Sequence, residues 1–78
     1  MEYIMVMRGP RRWVAAAPTH DLDEARCEVV TARVVHGRNA RLIEAPASHA
    51  SNFLRDLDRT GSLFEAIRNN PGTTELRS

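Results

Sequence analysis

One stretch, residues 21–45, constrains the fold of this chain more than any other. It reads DLDEARCEVVTARVVHGRNARLIEA and divides at Gly37 into a helical pattern and a short apolar strand. Asp21 followed by Glu24 is typical of a helix N-terminus, because Asp accepts hydrogen bonds from free backbone amides and Glu can reach back to the cap. A glycine is the usual left-handed residue at a helix end. The stretch therefore predicts a helix, a glycine stop and a strand over 40–45.

The predicted helix, residues 21–35, carries two apolar stripes. With a turn of about 100° per residue, one stripe falls in a narrow sector that would face a core. The second stripe points to nearly the opposite side, so it needs another neighbour, either the C-terminal helices or a second protein chain. The core stripe is formed by Leu22, Ala25, Val29, Ala32 and His36, and the second stripe, a candidate dimer face, is formed by Cys27, Val30 and Val34.

A competing interpretation makes residues 27–35 a strand. This segment is rich in β-branched residues, and residues 36–39, HGRN, could form a hairpin loop into the next strand. The capping pair and the helical spacing of the apolar residues favour the helix.

The segment before residue 21 predicts a β-hairpin. Residues 3–7, YIMVM, form a short apolar run that fits a buried strand, and Gly9 with Pro10 marks a turn. Residues 12–17, RWVAAA, form the second strand, which ends at Pro18. The small alanines would let a helix approach closely.

The segment after residue 45 predicts two helices and a tail. Residues 48–59 form the first helix, and an S-x-x-E capping box at Ser62 begins the second. The expected fold is α+β with the order ββαβαα: a three-stranded antiparallel sheet, the third strand beside the first, and helices on one face. Residues 1–70 would form one domain, and residues 71–78 a flexible tail.

Charge is distributed unevenly although the net charge is only +1. In the predicted topology the hairpin tip and the loop after the first helix lie at one end of the molecule, and the start of that helix lies at the other. All eleven basic residues are arginines, which reflects either genomic composition bias or selection for bidentate contacts to carboxylate and phosphate. The candidate partner-binding residues at the basic end are Arg8, Arg11, Arg12, Trp13, Arg38 and Arg41, and the opposite acidic patch is Asp21, Asp23 and Glu24.

No pattern in the sequence indicates a reaction. The three histidines and the single cysteine lack the spacing of a metal site, and no phosphate-binding glycine loop is present. One cysteine cannot form an internal disulfide, and Cys27 is expected to be a small buried or half-buried side chain. We therefore expect no enzymatic activity, no metal and no cofactor. The absence of a membrane span and of a signal-peptide pattern at the N-terminus predicts a cytoplasmic protein.

The pattern YIMVM…RRWVAAAP…DLDEAR…ARLIEAP resembles that of small proteins of bacterial plasmids and phages. In size and order of elements it is similar to the type I anti-CRISPR proteins. This resemblance implies a stoichiometric inhibitor that acts in the cytoplasm of a bacterial host cell, where it binds a CRISPR surveillance complex or its nuclease and blocks DNA recognition or cleavage. DNA-mimicking inhibitors are strongly acidic and this chain is not, so it would act by covering a surface.

Three functions are compatible with these features. The first is a non-enzymatic protein-binding module that inhibits or regulates a larger complex. The second is a small nucleic-acid-binding protein that uses the arginine-rich end, for which steeply salt-dependent binding is expected. The third is a homodimerising structural domain that associates through the second stripe of the first helix.

Overall fold

The computed structural model describes residues 1–76 of the chain. The elements in order are β1 (Glu2–Arg8), β2 (Trp13–Ala15), α1 (Leu22–Val34), β3 (Ala40–Ala45), α2 (Ala47–Thr60), α3 (Leu63–Arg68) and β4 (Thr74–Leu76). The strands form one antiparallel sheet with the order β2-β1-β3-β4. The predicted α+β class and the position of β3 beside β1 are confirmed, and the sheet has one strand more than predicted.

The N-terminal hairpin forms as expected, with a short second strand. Val6 pairs with Ala15 and Arg8 pairs with Trp13, so Trp13 and Ala15 share a face of the sheet. The strand β2 stops at Ala15 rather than Ala17. Pairing with β1 resumes at Thr19, opposite Tyr3, with the register shifted by one residue, so a bulge over residues 16–18 interrupts this edge strand.

Helices cover both faces of the sheet, not one as predicted. Side chains alternate along β1, so Ile4 and Val6 pack with α2 and α3, whereas Met5 packs with α1. The strand β3 divides in the same way, with Ile43 on the first face and Leu42 on the second. The physical reason is visible in the run YIMVM: a strand that is apolar at every position buries both of its faces.

Helix α1 forms over the segment for which a strand was the alternative, so the helical interpretation of residues 27–35 is confirmed. The carboxylate of Asp21 accepts hydrogen bonds from the backbone amides of Asp23 and Glu24. The second half of the expected capping box differs, because the hydroxyl of Thr19 accepts from the amide of Asp21 at 3.1 Å. Gly37 takes the left-handed conformation with φ of 62° after the helix, as predicted.

The core stripe of α1 is confirmed except at its two ends. Ala25, Val29 and Ala32 are buried, and Leu22 is partly buried. His36 is exposed, since the helix ends at Val34 and the chain turns away before His36 could reach the core.

Helices α2 and α3 differ at their starts. Pro46 precedes α2 and gives no side-chain cap, whereas the hydroxyl of Ser62 accepts from the amide of Glu65 and caps α3, as predicted. Helix α2 ends at Gly61, whose φ is 68° and whose amide donates to the carbonyl of Leu57 at 2.7 Å. These two helices bury Phe53, Leu57 and Leu63.

The segment predicted to be a flexible tail, residues 71–78, contains the strand β4. Leu76 pairs with Leu42 and Thr74 pairs with Glu44, so β4 covers the edge of β3 that would otherwise be unpaired. The prediction was wrong for residues 74–76 because their pairing depends on a strand 32 residues earlier. Residues 77 and 78 lie outside the described residues.

Candidate functional site: an arginine-rich end

Two loops meet at one end of the sheet. The amide of Arg8 donates to the carbonyl of Asn39 at 2.9 Å, which joins the end of β1 to the loop before β3. The amide of Gly9 donates to the carbonyl of Arg12 at 2.8 Å and closes the hairpin tip. The structure therefore places the hairpin tip and the loop that carries Arg38 at the same end of the sheet.

The hairpin tip is held against the end of α2. The amide of Trp13 donates to the carbonyl of Gly61 at 2.9 Å, and the guanidinium of Arg12 donates to the carbonyl of Asp58. A Cβ atom at Gly61 would lie 2.7 Å from the Cβ of Arg12, so the two segments can approach this closely only because residue 61 is a glycine. Arg12, although exposed, thus already has a hydrogen-bond partner.

Trp13 lies at the edge of the core that α2 covers. Its side chain is partly buried and packs against that core. Beside it, a shallow cleft of about 230 Å³ is lined by Leu54 and Leu57 of α2 and by the exposed Ala15 of β2. The cleft lies directly next to the hairpin tip.

The charge of Arg41 is used within the molecule. Its guanidinium carbon lies 5.6 Å from the centroid of the Trp13 ring, within the distance of a cation–π contact. Its Nη1 atom lies 3.1 Å from Oε1 of Glu75 in β4. Arg41 therefore ties the second strand and the fourth strand to the third, and it contributes little free charge to the basic end.

The remaining arginines of the predicted site are free to bind a partner. Arg8, Arg11 and Arg38 are exposed. Among residues 1–76 none of these three side chains makes an ion pair or a side-chain hydrogen bond. We call these three residues the arginine triad. The structure thus divides the predicted basic site into a free triad and a set with internal contacts, Arg12, Trp13 and Arg41.

The predicted acidic patch lies at the opposite end of the sheet. The isolated bridge between Tyr3 and Thr19 places the start of α1 beside the start of β1. Asp21 uses its carboxylate to cap the helix, and Asp23 and Glu24 are exposed beside it. The predicted acidic patch and the loop that carries Arg38 therefore lie at opposite ends of α1.

The predicted dimer face is exposed. The side chains of Val30 and Val34 are 54% and 77% exposed, and Cys27 is exposed as well, contrary to the expectation that it would be buried or half-buried. The C-terminal helices cover the other face of the sheet, so the alternative that they would cover this stripe is wrong.

Sequence reasoning missed an apolar groove beside α1. It encloses about 410 Å³ and is lined by Met5 and Met7 of β1 and by Cys27, Thr31 and His36 from the helix and its end. The signal was present in the sequence, because a two-faced strand beside a helix with small side chains leaves space between them. The groove continues the exposed apolar surface of α1.

Two of the three histidines lie within hydrogen-bond distance of a backbone carbonyl. Nδ1 of His49 lies 3.0 Å from the carbonyl of Pro71, and Nδ1 of His20 lies 3.4 Å from the carbonyl of Met1. Within residues 1–76, no group of three or more histidine, cysteine, aspartate or glutamate side chains is arranged to hold a metal ion.

No helix in the described part of the chain is long and apolar enough to cross a membrane. Comparisons with protein-family models, with curated proteins and with solved structures found no match to this chain.

Proposed function

We propose that this chain is a protein-binding module that docks through its arginine triad onto an acidic surface of a larger assembly. The observation that carries the proposal is that Arg8, Arg11 and Arg38 lie exposed at one end of the sheet, where the end of β1 is hydrogen-bonded to the loop before β3, and that none of them makes an ion pair among the described residues. Because the loops are held by each other and by α2, little backbone freedom is lost when a partner binds.

Arginine suits this role chemically. Its planar guanidinium donates two parallel hydrogen bonds to one carboxylate, which fixes the direction of approach as well as the attraction. The acidic patch at the far end repels the same partner surface, so only one end of the molecule is attracted. A chain with a net charge of +1 can thus bind in one orientation.

Nucleic acid is the second candidate, and the same three arginines support it. A single-stranded binding site also needs an aromatic ring on which a base can stack. Trp13 is packed against the core, and Arg41 lies over its ring, so a base would have to displace that contact. The small net charge also provides little long-range attraction to a polyanion. For these reasons we favour a protein partner over nucleic acid.

A finer proposal concerns the identity of the assembly. The resemblance in size and element order to type I anti-CRISPR proteins supports a stoichiometric inhibitor of a CRISPR surveillance complex. The arginine triad would cover an acidic surface of that complex and thereby block DNA recognition or cleavage. Action inside a bacterial host cell is part of the same proposal.

The test measures binding of the purified chain to a purified type I CRISPR surveillance complex, and separately to single- and double-stranded DNA and RNA. Each titration is done at low and at physiological salt. The variant Arg11→Ala/Arg38→Ala is compared with Arg55→Ala, an exposed arginine of α2 that has no ion pair among residues 1–76. We expect the double variant to weaken binding to the complex at least about tenfold, which corresponds to about 1.4 kcal/mol of binding free energy. The control should bind as tightly as the unmodified chain.

The outcomes separate the proposals. Tight, steeply salt-dependent binding to nucleic acid that the double variant abolishes would favour the second candidate. Binding to the complex that Arg55→Ala weakens as much as the double variant would remove the arginine triad as the site. No binding to the complex at either salt concentration would reject the CRISPR partner.

A further inference from the structure

We propose that two copies of this chain associate through their α1 helices, which pack antiparallel about an axis near Val30 and Thr31. The surface is the exposed stripe Cys27, Val30 and Val34, which the C-terminal helices leave uncovered. This inference does not depend on Arg8 or Arg11, which lie on the hairpin tip and not on α1, and it shares only Arg38 with the arginine triad.

Charge complementarity identifies the second copy as the occupant. Helix α1 begins at the acidic patch and ends beside the basic loop that carries Arg38. When two such helices run antiparallel, the acidic start of each lies beside the basic end of the other, and their macrodipoles also oppose. A parallel arrangement would place like charges together at both ends, which is unfavourable.

The apolar stripe matches itself in the same arrangement. A two-fold axis at the level between residues 30 and 31 places Cys27 level with the partner's Val34, and Val30 close to the partner's Thr31. In this register the acidic first turn of each helix, with Asp23 and Glu24, faces the end of the partner's helix, where the amide of Arg38 donates to the carbonyl of Ala32. Spacings of three and four residues between the stripe positions are those of a two-helix seam.

One like-charge approach opposes the association. Arg26 and Arg33 lie on the same side of the stripe, and Arg26 comes near the level of the partner's Arg33. Nε of Arg33 donates to the carbonyl of Ala40 at 2.9 Å, which holds that side chain toward its own β3. Because both arginines are exposed, water and salt screen their repulsion. The apolar contact and the opposite charges at both ends outweigh it.

Cysteine cross-linking tests the register. In the antiparallel arrangement the two Cys27 residues are separated by seven residues, about 10.5 Å along the helix axis, which is too far for a disulfide. In the variant Val34→Cys, the introduced thiol lies opposite the partner's Cys27, and the dimer should become covalent under mild oxidation. The matched control Cys27→Ala/Val34→Cys has one thiol per chain and should not cross-link.

Sedimentation equilibrium over a concentration series tests the association itself. We expect Val30→Asp to weaken it at least tenfold, because two carboxylates would meet near the axis. The control Phe64→Asp changes an apolar residue on α3 that is even more exposed than Val30, and it should leave the association unchanged. A monomer mass throughout, or a covalent dimer of the unmodified chain through Cys27, would overturn the antiparallel arrangement.

Discussion

The two faces of the sheet are built from different kinds of side chain. The face under α2 and α3 is filled by large residues, with Phe53, Leu57 and Ile43 all buried. The face under α1 is filled on the helix side by Ala25, Val29 and Ala32. One face is therefore a deep core, and the other is a shallow contact between a helix and a sheet.

The difference explains where the unused apolar surface lies. Helix α2 puts its large side chains into the core, whereas α1 holds its largest exposed apolar residues, Val30, Val34 and the adjacent Val35, on the solvent side. A shallow contact also leaves the groove beside Met7 open. The face that contributes less to folding is thus the face that offers more surface for binding.

The largest expected effect is that of Phe53→Ala. Phe53 is fully buried in the deep core, so its truncation removes its packing and leaves a cavity. We expect a loss of about 3–5 kcal/mol in the free energy of unfolding. This is a large part of the stability of a chain of this size, roughly 4–12 kcal/mol. Urea denaturation followed by circular dichroism measures the free energy of unfolding. A smaller loss for Phe53→Ala than for Val29→Ala would show that the face under α1 contributes more to stability than the face under α2 and α3.

The ends of α1 and α2 provide the next comparison, through Gly61→Ala and Gly37→Ala. Both glycines have positive φ, so each alanine costs about 1 kcal/mol in backbone strain. Only at Gly61 does the added Cβ meet Arg12, at 2.7 Å, whereas nothing lies within 4 Å at Gly37. We expect a total loss of about 2–4 kcal/mol for Gly61→Ala, since overpacking adds 1–3 kcal/mol. Equal losses in urea denaturation would show that the hairpin tip can move away from α2.

The sequence predicted those parts of the fold that local chemistry determines. The helix cap at Asp21, the stop at Gly37 and the cap at Ser62 each depend on residues within a few positions of one another. The strand β4 was missed, because three residues after a turn become a strand only when a distant edge accepts them. The second covered face was missed although the run at residues 3–7 indicated it.

The candidate site was predictable in its position but not in its internal contacts. Antiparallel pairing of β1 and β3 was enough to bring the hairpin tip beside Arg38. The division between free and engaged arginines depends on long-range contacts: Arg12 reaches Asp58, and Arg41 reaches Trp13 and Glu75. No spacing along the chain carries that information.

The two sides of α1 itself give the third comparison. Val29 is buried against the sheet and Val30, one residue later, is 54% exposed. Val29→Ala should reduce the free energy of unfolding by about 2 kcal/mol, since two methyl groups leave the core. Val30→Ala should change it by less than about 0.5 kcal/mol in dilute solution, where loss of an exposed side chain has little effect. A cost at Val30 that grows with protein concentration would indicate that self-association stabilises the fold.

The smallest expected effect concerns the ion pair between Arg41 of β3 and Glu75 of β4. Glu75→Gln removes the negative charge that pairs with Arg41, but both side chains are more than a third exposed, so water screens much of their attraction. We expect a loss of at most about 0.5 kcal/mol in the free energy of unfolding, and a smaller loss at high salt. Binding to an acidic partner should instead become tighter, because Arg41 without its ion pair adds a positive charge at the basic end. A Glu75→Gln variant that binds an acidic partner more weakly than the unmodified chain would show that the partner instead needs Arg41 held in place over Trp13.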